Sequence, residues 1–172
     1  MNPHETQGAL ALNPEAVLAE LQITLPTPPK PVAAYIPFVR TGNLVFISGQ
    51  VAFRDGQLLY KGFVDTSITT SSDSRISMSD AQAAAKQCML NTMAILKSAV
   101  GSLSNVRRCV RLGVFIACDS TFVDHPKVAN GASELLVQVF GDAGKHARAA
   151  VGSSSLPLGA CVEVESVWEV DA

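Results

Sequence analysis

The sequence has little charge, few aromatic residues and no clustered metal-ligand or redox motif. Charged residues make up 16% of its 172 residues and the formal net charge is −2. A nucleic-acid binder normally presents a basic face, so that class of partner is not expected. With aromatics at 6%, the chain also lacks a basic groove with aromatic platforms for single strands. Cys88, Cys109, Cys118 and Cys161 are widely spaced. They form no Cys-x-x-Cys and no Cys/His cluster at zinc spacing, so no metal site is implied. No apolar run reaches the length needed to cross a membrane. Met1 to Leu12 shows neither the basic n-region nor the apolar h-region of a secretory signal. The expectation is a cytoplasmic protein whose four thiols are reduced, buried and behave as small hydrophobes.

What is present is apolar. Hydrophobic residues reach 48%, enough for one domain with a large core and surface to spare for subunit contacts. Residues 1–31 read as a short helix followed by a proline-rich linker, and 32–172 as the single domain. Asn13-Pro14-Glu15 opens the helix, with Asn13 as N-cap and Pro14 in the first turn. Leu25 to Pro31 cannot continue it.

Within the domain, Ala34 to Arg40 reads as a strand, turned at Thr41-Gly42-Asn43 into a second strand, Leu44 to Phe53. Asp55-Gly56 marks a hairpin turn into a third, Gln57 to Phe63. Thr66 to Ser77, rich in Ser and Thr, reads as an exposed loop. Ser79 starts the main helix, which runs to Val100 and ends at Gly101. Val106 to Cys118 is a strand, and His125 to Phe140 is the second helix, capped by Asp124 or Thr121.

The last stretch carries the clearest pattern. Cys161 to Trp168 alternates with period two, which is the mark of a half-buried strand. Cys161, Glu163 and Glu165 then share one face, and Val162, Val164, Ser166 and Trp168 the other. Pro157 cannot sit inside a central strand. Two strands with a short break are therefore expected, presenting Arg148 and Glu163 to one cavity. The order β-β-β-α-β-α-β-β argues for an α+β sandwich, a mixed or antiparallel sheet with both helices on one face.

The same stretch resembles a known family. Ala147-Arg148 followed by Val151, and Leu156-Pro157 leading to Gly159-Ala160 and Val162-Glu163-Val164-Glu165, are similar to the C-terminal signature of the Rid/YjgF reactive intermediate deaminases, also called endoribonuclease L-PSP. Tyr35, the segment Gly42 to Gln50 with its Ser48-Gly49-Gln50, and Asn91 to Leu96 agree in order and spacing. Together they span about residues 32 to 170. The form Gly144-Lys145-His146-Ala147-Arg148-Ala149-Ala150-Val151-Gly152 resembles a divergent branch. The resemblance implies a chorismate-mutase-like fold and a homotrimer with ligand clefts between subunits. It implies a small-molecule carboxylate substrate, and neither metal nor organic cofactor.

Arg148 is the first candidate. It is the only charge between Ala147 and Leu156, and a lone arginine on an apolar strand needs a partner. That partner is either a structural carboxylate such as Glu163 or a ligand carboxylate, which the planar guanidinium fits. The resemblance implies the second. Glu163 is either a solvated strand residue or, as the resemblance implies, the group that positions or activates the attacking water; Glu165 is its reserve. Tyr35 offers a ring and a hydroxyl, and Ser48 with Gly49 a hydroxyl and approachable backbone. Asn130 and His146 are weaker candidates. Ala150 stands where many relatives carry cysteine, which excludes a thiol nucleophile there and leaves only its backbone N–H.

These readings favour hydrolytic deamination of 2-imino or enamino acids to a 2-keto acid and ammonia. A non-catalytic binder of keto acids or related metabolites is the alternative, with endoribonuclease activity third. Thiol titration of the denatured, unreduced protein should count all four cysteines; a missing pair would contradict the reading of scattered, unlinked thiols.

Overall fold

The computed structural model describes residues 13–28 and 34–172. Its first element is helix α1, Pro14–Glu20, where the Asn13 side chain accepts from the Glu15 and Ala16 N–H groups as expected. The strands are β1 (Phe38–Thr41), β2 (Leu44–Val51), β3 (Phe53–Arg54), β4 (Gln57–Leu58), β5 (Phe63–Val64), β6 (Arg75–Ile76), β7 (Val106–Ala117), β8 (Ala147–Ser153) and β9 (Val162–Val170). Helix α2, Met78–Val100, lies between β6 and β7, and helix α3, His125–Phe140, between β7 and β8. Pro29 and Pro31 of the expected linker, and the Met1 to Leu12 stretch, fall outside the described residues.

Five strands make the main sheet in the order β1-β2-β9-β7-β8. The first three pairings are antiparallel, and β7 and β8 run parallel. A parallel pair needs a crossover, and α3 supplies it. The α+β reading therefore holds, with a mixed sheet and both helices packed against it.

The strand β9 alternates throughout. Val162, Val164, Ser166, Trp168 and Val170 are buried, while Glu163, Glu165, Val167 and Glu169 are half-buried on the opposite face. Trp168 is fully buried, packs against Phe140 at a centroid distance of 5.5 Å, and donates from Nε1 to Ser166 Oγ at 2.8 Å. An indole N–H left without a partner there would cost free energy. Cys161, expected to share the face of Glu163, precedes the strand and is buried with the core. All four cysteines are buried.

The front half of the chain is more broken than its apolar runs suggest. β1 begins at Phe38 rather than Ala34, because Pro37 has no N–H for a ladder. β2 ends at Val51, and the chain kinks at Ala52 into the β3–β4 hairpin. Asp55 (φ 52°) and Gly56 (φ 77°) form its two-residue turn, so the Asp-Gly cue was sound. The kink frees carbonyls that α2 recovers: buried Asn91 donates to Val51 O and Phe53 O, each at 3.0 Å, and Gln87 to Phe53 O at 3.2 Å. The expected strand from Gln57 to Phe63 is interrupted at Tyr60 and Gly62, both at positive φ. The Thr66 to Ser77 segment is not wholly exposed: β6 pairs with β5, and Ile76 and Ser77 are buried.

Ser77, not Ser79, caps α2, its side chain accepting from Asp80 N. Asp124 holds the N-cap position of α3 without a side-chain cap bond, since its carboxylate pairs with Lys127 at 3.0 Å. Gly131 lets α3 approach α2, because a Cβ there would meet the Gln82 carbonyl oxygen inside van der Waals contact. Gly131→Ala should therefore lower stability by roughly 1–3 kcal/mol through overpacking. Denaturant unfolding checks this, and an unchanged midpoint would show that the two helices separate at no cost.

Candidate active site

The two leading candidates do not meet within one chain. On β7, Leu112 and Phe115 point to opposite faces, being an odd number of residues apart. Arg148 is in register with Leu112, on the helix-covered face. Glu163 is in register with Phe115 and Val51, on the open face. With β7 also between their strands, the expected single cavity is not formed by one copy. They instead anchor two separate clusters.

The first cluster surrounds Glu163. Ser48 and Gly49 occupy the irregular step in the β2–β9 register. The Ser48 hydroxyl donates to Ile36 O at 2.8 Å and its N–H to Pro37 O at 3.0 Å, tying the segment from Tyr35 to Pro37 against β2. Tyr35 itself is 47% exposed. The Glu163 carboxylate lies over Gly49, in space that any Cβ at position 49 would take. Glu165 lies the same way over Gly113, whose added Cβ would be 2.6 Å from its Oε1. At both places a Cβ would have to displace the side chain of the glutamate on the neighbouring strand.

Their electrostatics separate the two glutamates. Glu165 is paired with Arg111 at 2.9 Å. Glu163 has neither hydrogen bond nor ion pair among the described residues. Burial, and then the charge of Glu165, push its carboxyl above the usual 4.5. A carboxyl tuned upward and left unpaired among the described residues is suited to taking up and returning a proton. Glu165, Ser48 and Arg111 also line a shallow hollow of about 420 Å³ on the open face with Val39 and Phe46.

The second cluster holds Arg148 at the sheet edge. Its Nη1 donates to Asn130 Oδ1 at 3.0 Å and to Ser133 Oγ at 2.9 Å, and its Nη2 to Pro126 O at 3.4 Å. All three acceptors are neutral and come from α3. Of the five guanidinium N–H groups, the Nε one and the second on Nη2 have no partner among the described residues. The structural ion pair with Glu163 is therefore absent among those residues. Ala150 lies two residues along the same face, in register with Val114. His146 places Nε2 3.0 Å from Ser133 Oγ and Nδ1 2.6 Å from Gly144 O. Burial pushes its imidazole below the ordinary 6.5, the Gly144 carbonyl opposes this, and the Arg148 charge adds to the lowering.

Ser133 escaped the sequence reading. Its only signal is the spacing Asn130–Ser133, which places two polar groups on one helix stripe. That stripe becomes meaningful once α3 is known to return beside β8. Of the three β7 arginines, Arg107 and Arg111 are paired with Asp171 and Glu165. No group of three or more potential metal ligands occurs among the described residues. No described helix is long and apolar enough to cross a membrane.

A five-stranded mixed sheet backed by two helices, with an ionisable cluster on its open face and an arginine on its edge, is an α+β protein of chorismate-mutase-like type. The family model described as "YjgF/chorismate mutase-like, putative endoribonuclease" matches residues 15–169, and the chain belongs to this family. It is 36% identical over 165 residues to protein TCP17 of Trypanosoma cruzi, covering 95% of this chain and 96% of that one. It is 28% identical over 151 residues to the 2-iminobutanoate/2-iminopropanoate deaminase of Dermatophagoides farinae, covering 87% and 95%. Among solved structures it is similar to protein Atu1372 of Agrobacterium tumefaciens, with TM-score 0.78, 39% identity and 92% of both chains covered.

The raised Glu163 carboxyl yields a stability prediction. Its folded pKa lies above its unfolded value, so the associated stability is complete below the unfolded value and is lost as pH rises through the folded one. Glu163→Gln cannot ionise and escapes that loss. Thermal melts should show the variant gaining on the wild type as pH rises from the usual 4.5 through the raised folded value. A difference that is flat with pH would mean that Glu163 ionises freely.

Proposed function

We propose that the protein is a homotrimer which hydrolyses reactive 2-imino acids in clefts between subunits, Arg148 from one copy facing Glu163 from another. The observation that carries this reading is the state of Arg148: among the described residues its guanidinium is oriented by neutral groups alone, with two N–H groups left for a bidentate carboxylate. The placement of Arg148 and Glu163 on opposite sheet faces supports the need for a second copy. So does the open face itself, where Val39, Phe46 and Val151 are 51%, 43% and 46% exposed.

In the proposed reaction the substrate carboxylate sits on Arg148. Glu163 accepts a proton from water as its oxygen bonds to the imine carbon. The protonated Glu163 returns that proton to the imine nitrogen, giving a carbinolamine. Glu163 then takes the carbinolamine O–H proton and passes it to the amine nitrogen as the C–N bond breaks, so the C=O bond of the 2-keto acid forms and ammonia leaves. A carboxyl whose pKa is raised serves both proton acceptance and return. Tyr35 and Ser48 wall the cleft, and the backbone of Gly49 and Ala150 approaches the substrate. The deaminase name of the Dermatophagoides farinae relative supports the substrate class. Endoribonuclease activity is the weaker reading, since the formal charge is −2 and Arg107 and Arg111 already have carboxylate partners.

A coupled assay generating 2-iminobutyrate in situ, with calorimetry of 2-ketobutyrate, tests the assignment. Glu163→Gln should keep keto-acid binding and lose roughly a hundredfold in turnover. Arg148→Lys should weaken binding by about 10- to 100-fold, the worth of charged hydrogen bonds. Wild-type turnover by Glu163→Gln would remove Glu163 from the chemistry, and keto-acid binding without turnover by the wild type would leave a non-catalytic binder. A stable monomer in sedimentation at micromolar protein would remove the shared cleft.

A further inference from the structure

We infer that His146 is a positioning residue for Arg148, acting through Ser133. This rests on the reading of Arg148 as a carboxylate clamp. The direction of each hydrogen bond follows from chemistry. Gly144 O accepts only, so His146 Nδ1 at 2.6 Å carries the proton. The neutral imidazole then has its lone pair on Nε2, which faces Ser133 Oγ at 3.0 Å. Arg148 Nη1 donates only, so Ser133 Oγ accepts from it at 2.9 Å and spends its own hydrogen on His146. The chain of donation runs Arg148 to Ser133 to His146 to Gly144 O, with each hydrogen assigned one direction.

The consequence is rotational. A serine hydroxyl turns freely about its Cβ–Oγ bond unless an acceptor fixes its hydrogen. With Nε2 taking that hydrogen, an Oγ lone pair is left toward Nη1. Asn130 Oδ1 takes the other Nη1 hydrogen at 3.0 Å. The guanidinium plane is thereby set, and the Nε N–H and the second Nη2 N–H stay without a partner among the described residues. His146 and Arg148 are two residues apart at the start of β8, while Ser133 stands on α3, so the network also fixes that edge strand against the helix.

Two substitutions separate positioning from anchoring. His146→Gln puts an amide oxygen near the place of Nε2 and keeps the acceptor for Ser133. His146→Asn puts an amide N–H near the place of Nδ1 and keeps the bond to Gly144 O, but loses that acceptor. Calorimetry of 2-ketobutyrate, kcat and KM in the coupled assay, and a thermal melt are measured for both, for Ser133→Ala and for Arg148→Lys. His146→Asn and Ser133→Ala should weaken binding and raise KM by about three- to tenfold, the worth of one neutral hydrogen bond, with kcat little changed. His146→Gln should bind close to wild type. If Arg148→Lys loses binding while His146→Asn binds as wild type, the inference fails and the clamp stands. If His146→Gln loses binding and melts low while His146→Asn does neither, His146 is an anchor for the Gly144 turn and the inference is overturned. If Arg148→Lys binds as wild type, the clamp fails and His146 has no such role.

Discussion

The structure depends on β9 being a central strand that alternates without a fault. Lying between β2 and β7, it is hydrogen-bonded on both sides, and a slip of one residue would exchange its two faces. Trp168, Val164 and Val162 would then leave the core, and three carboxylates, those of Glu163, Glu165 and Glu169, would enter it. No Lys, Arg or His is buried among the described residues to pair with them, and Arg111 is on the open side with Glu165. Hydrophobic burial and the desolvation cost of glutamate thus enforce the same register.

That register decides which glutamate is available for chemistry. Both lie over glycines of neighbouring strands, Glu163 over Gly49 and Glu165 over Gly113. Glu165 has its charge matched by Arg111. Glu163 has no such partner among the described residues, and it also feels the charge of Glu165. The ion pair therefore takes one carboxylate out of play and leaves its neighbour half-buried with a raised pKa, the property a proton-transfer group needs.

Arg148 shows the complementary strategy. A carboxylate partner would hold it more strongly but would cancel the charge that the proposed carboxylate ligand would meet. Asn130, Ser133 and a backbone carbonyl orient it without neutralising it. Holding a planar ion by neutral acceptors at one end leaves its other edge preorganised, which lowers the ordering cost of binding.

Much of the architecture was legible in the residues themselves, because periodicity and punctuation act locally. The alternation from Val162 to Trp168, the Asp55-Gly56 hairpin, the Asn13 cap, the Gly101 stop and the extents of α2 and α3 all follow from neighbours along the chain. The family signature around Arg148 and Glu163 supplied the two residues on which the proposed function rests. What the residues did not contain was their relation across strands. Arg148 and Glu163 fall on opposite faces because β8 and β9 flank β7 in registers an odd number of residues apart. The interruption at Tyr60 and the burial of Ile76 depend on contacts with distant segments. Ser133 became a partner of Arg148 when α3 crossed back beside β8. Local sequence determined the elements and the parity of each strand; only the tertiary structure decided which parities share a face, because register is set by pairing between segments far apart in the chain.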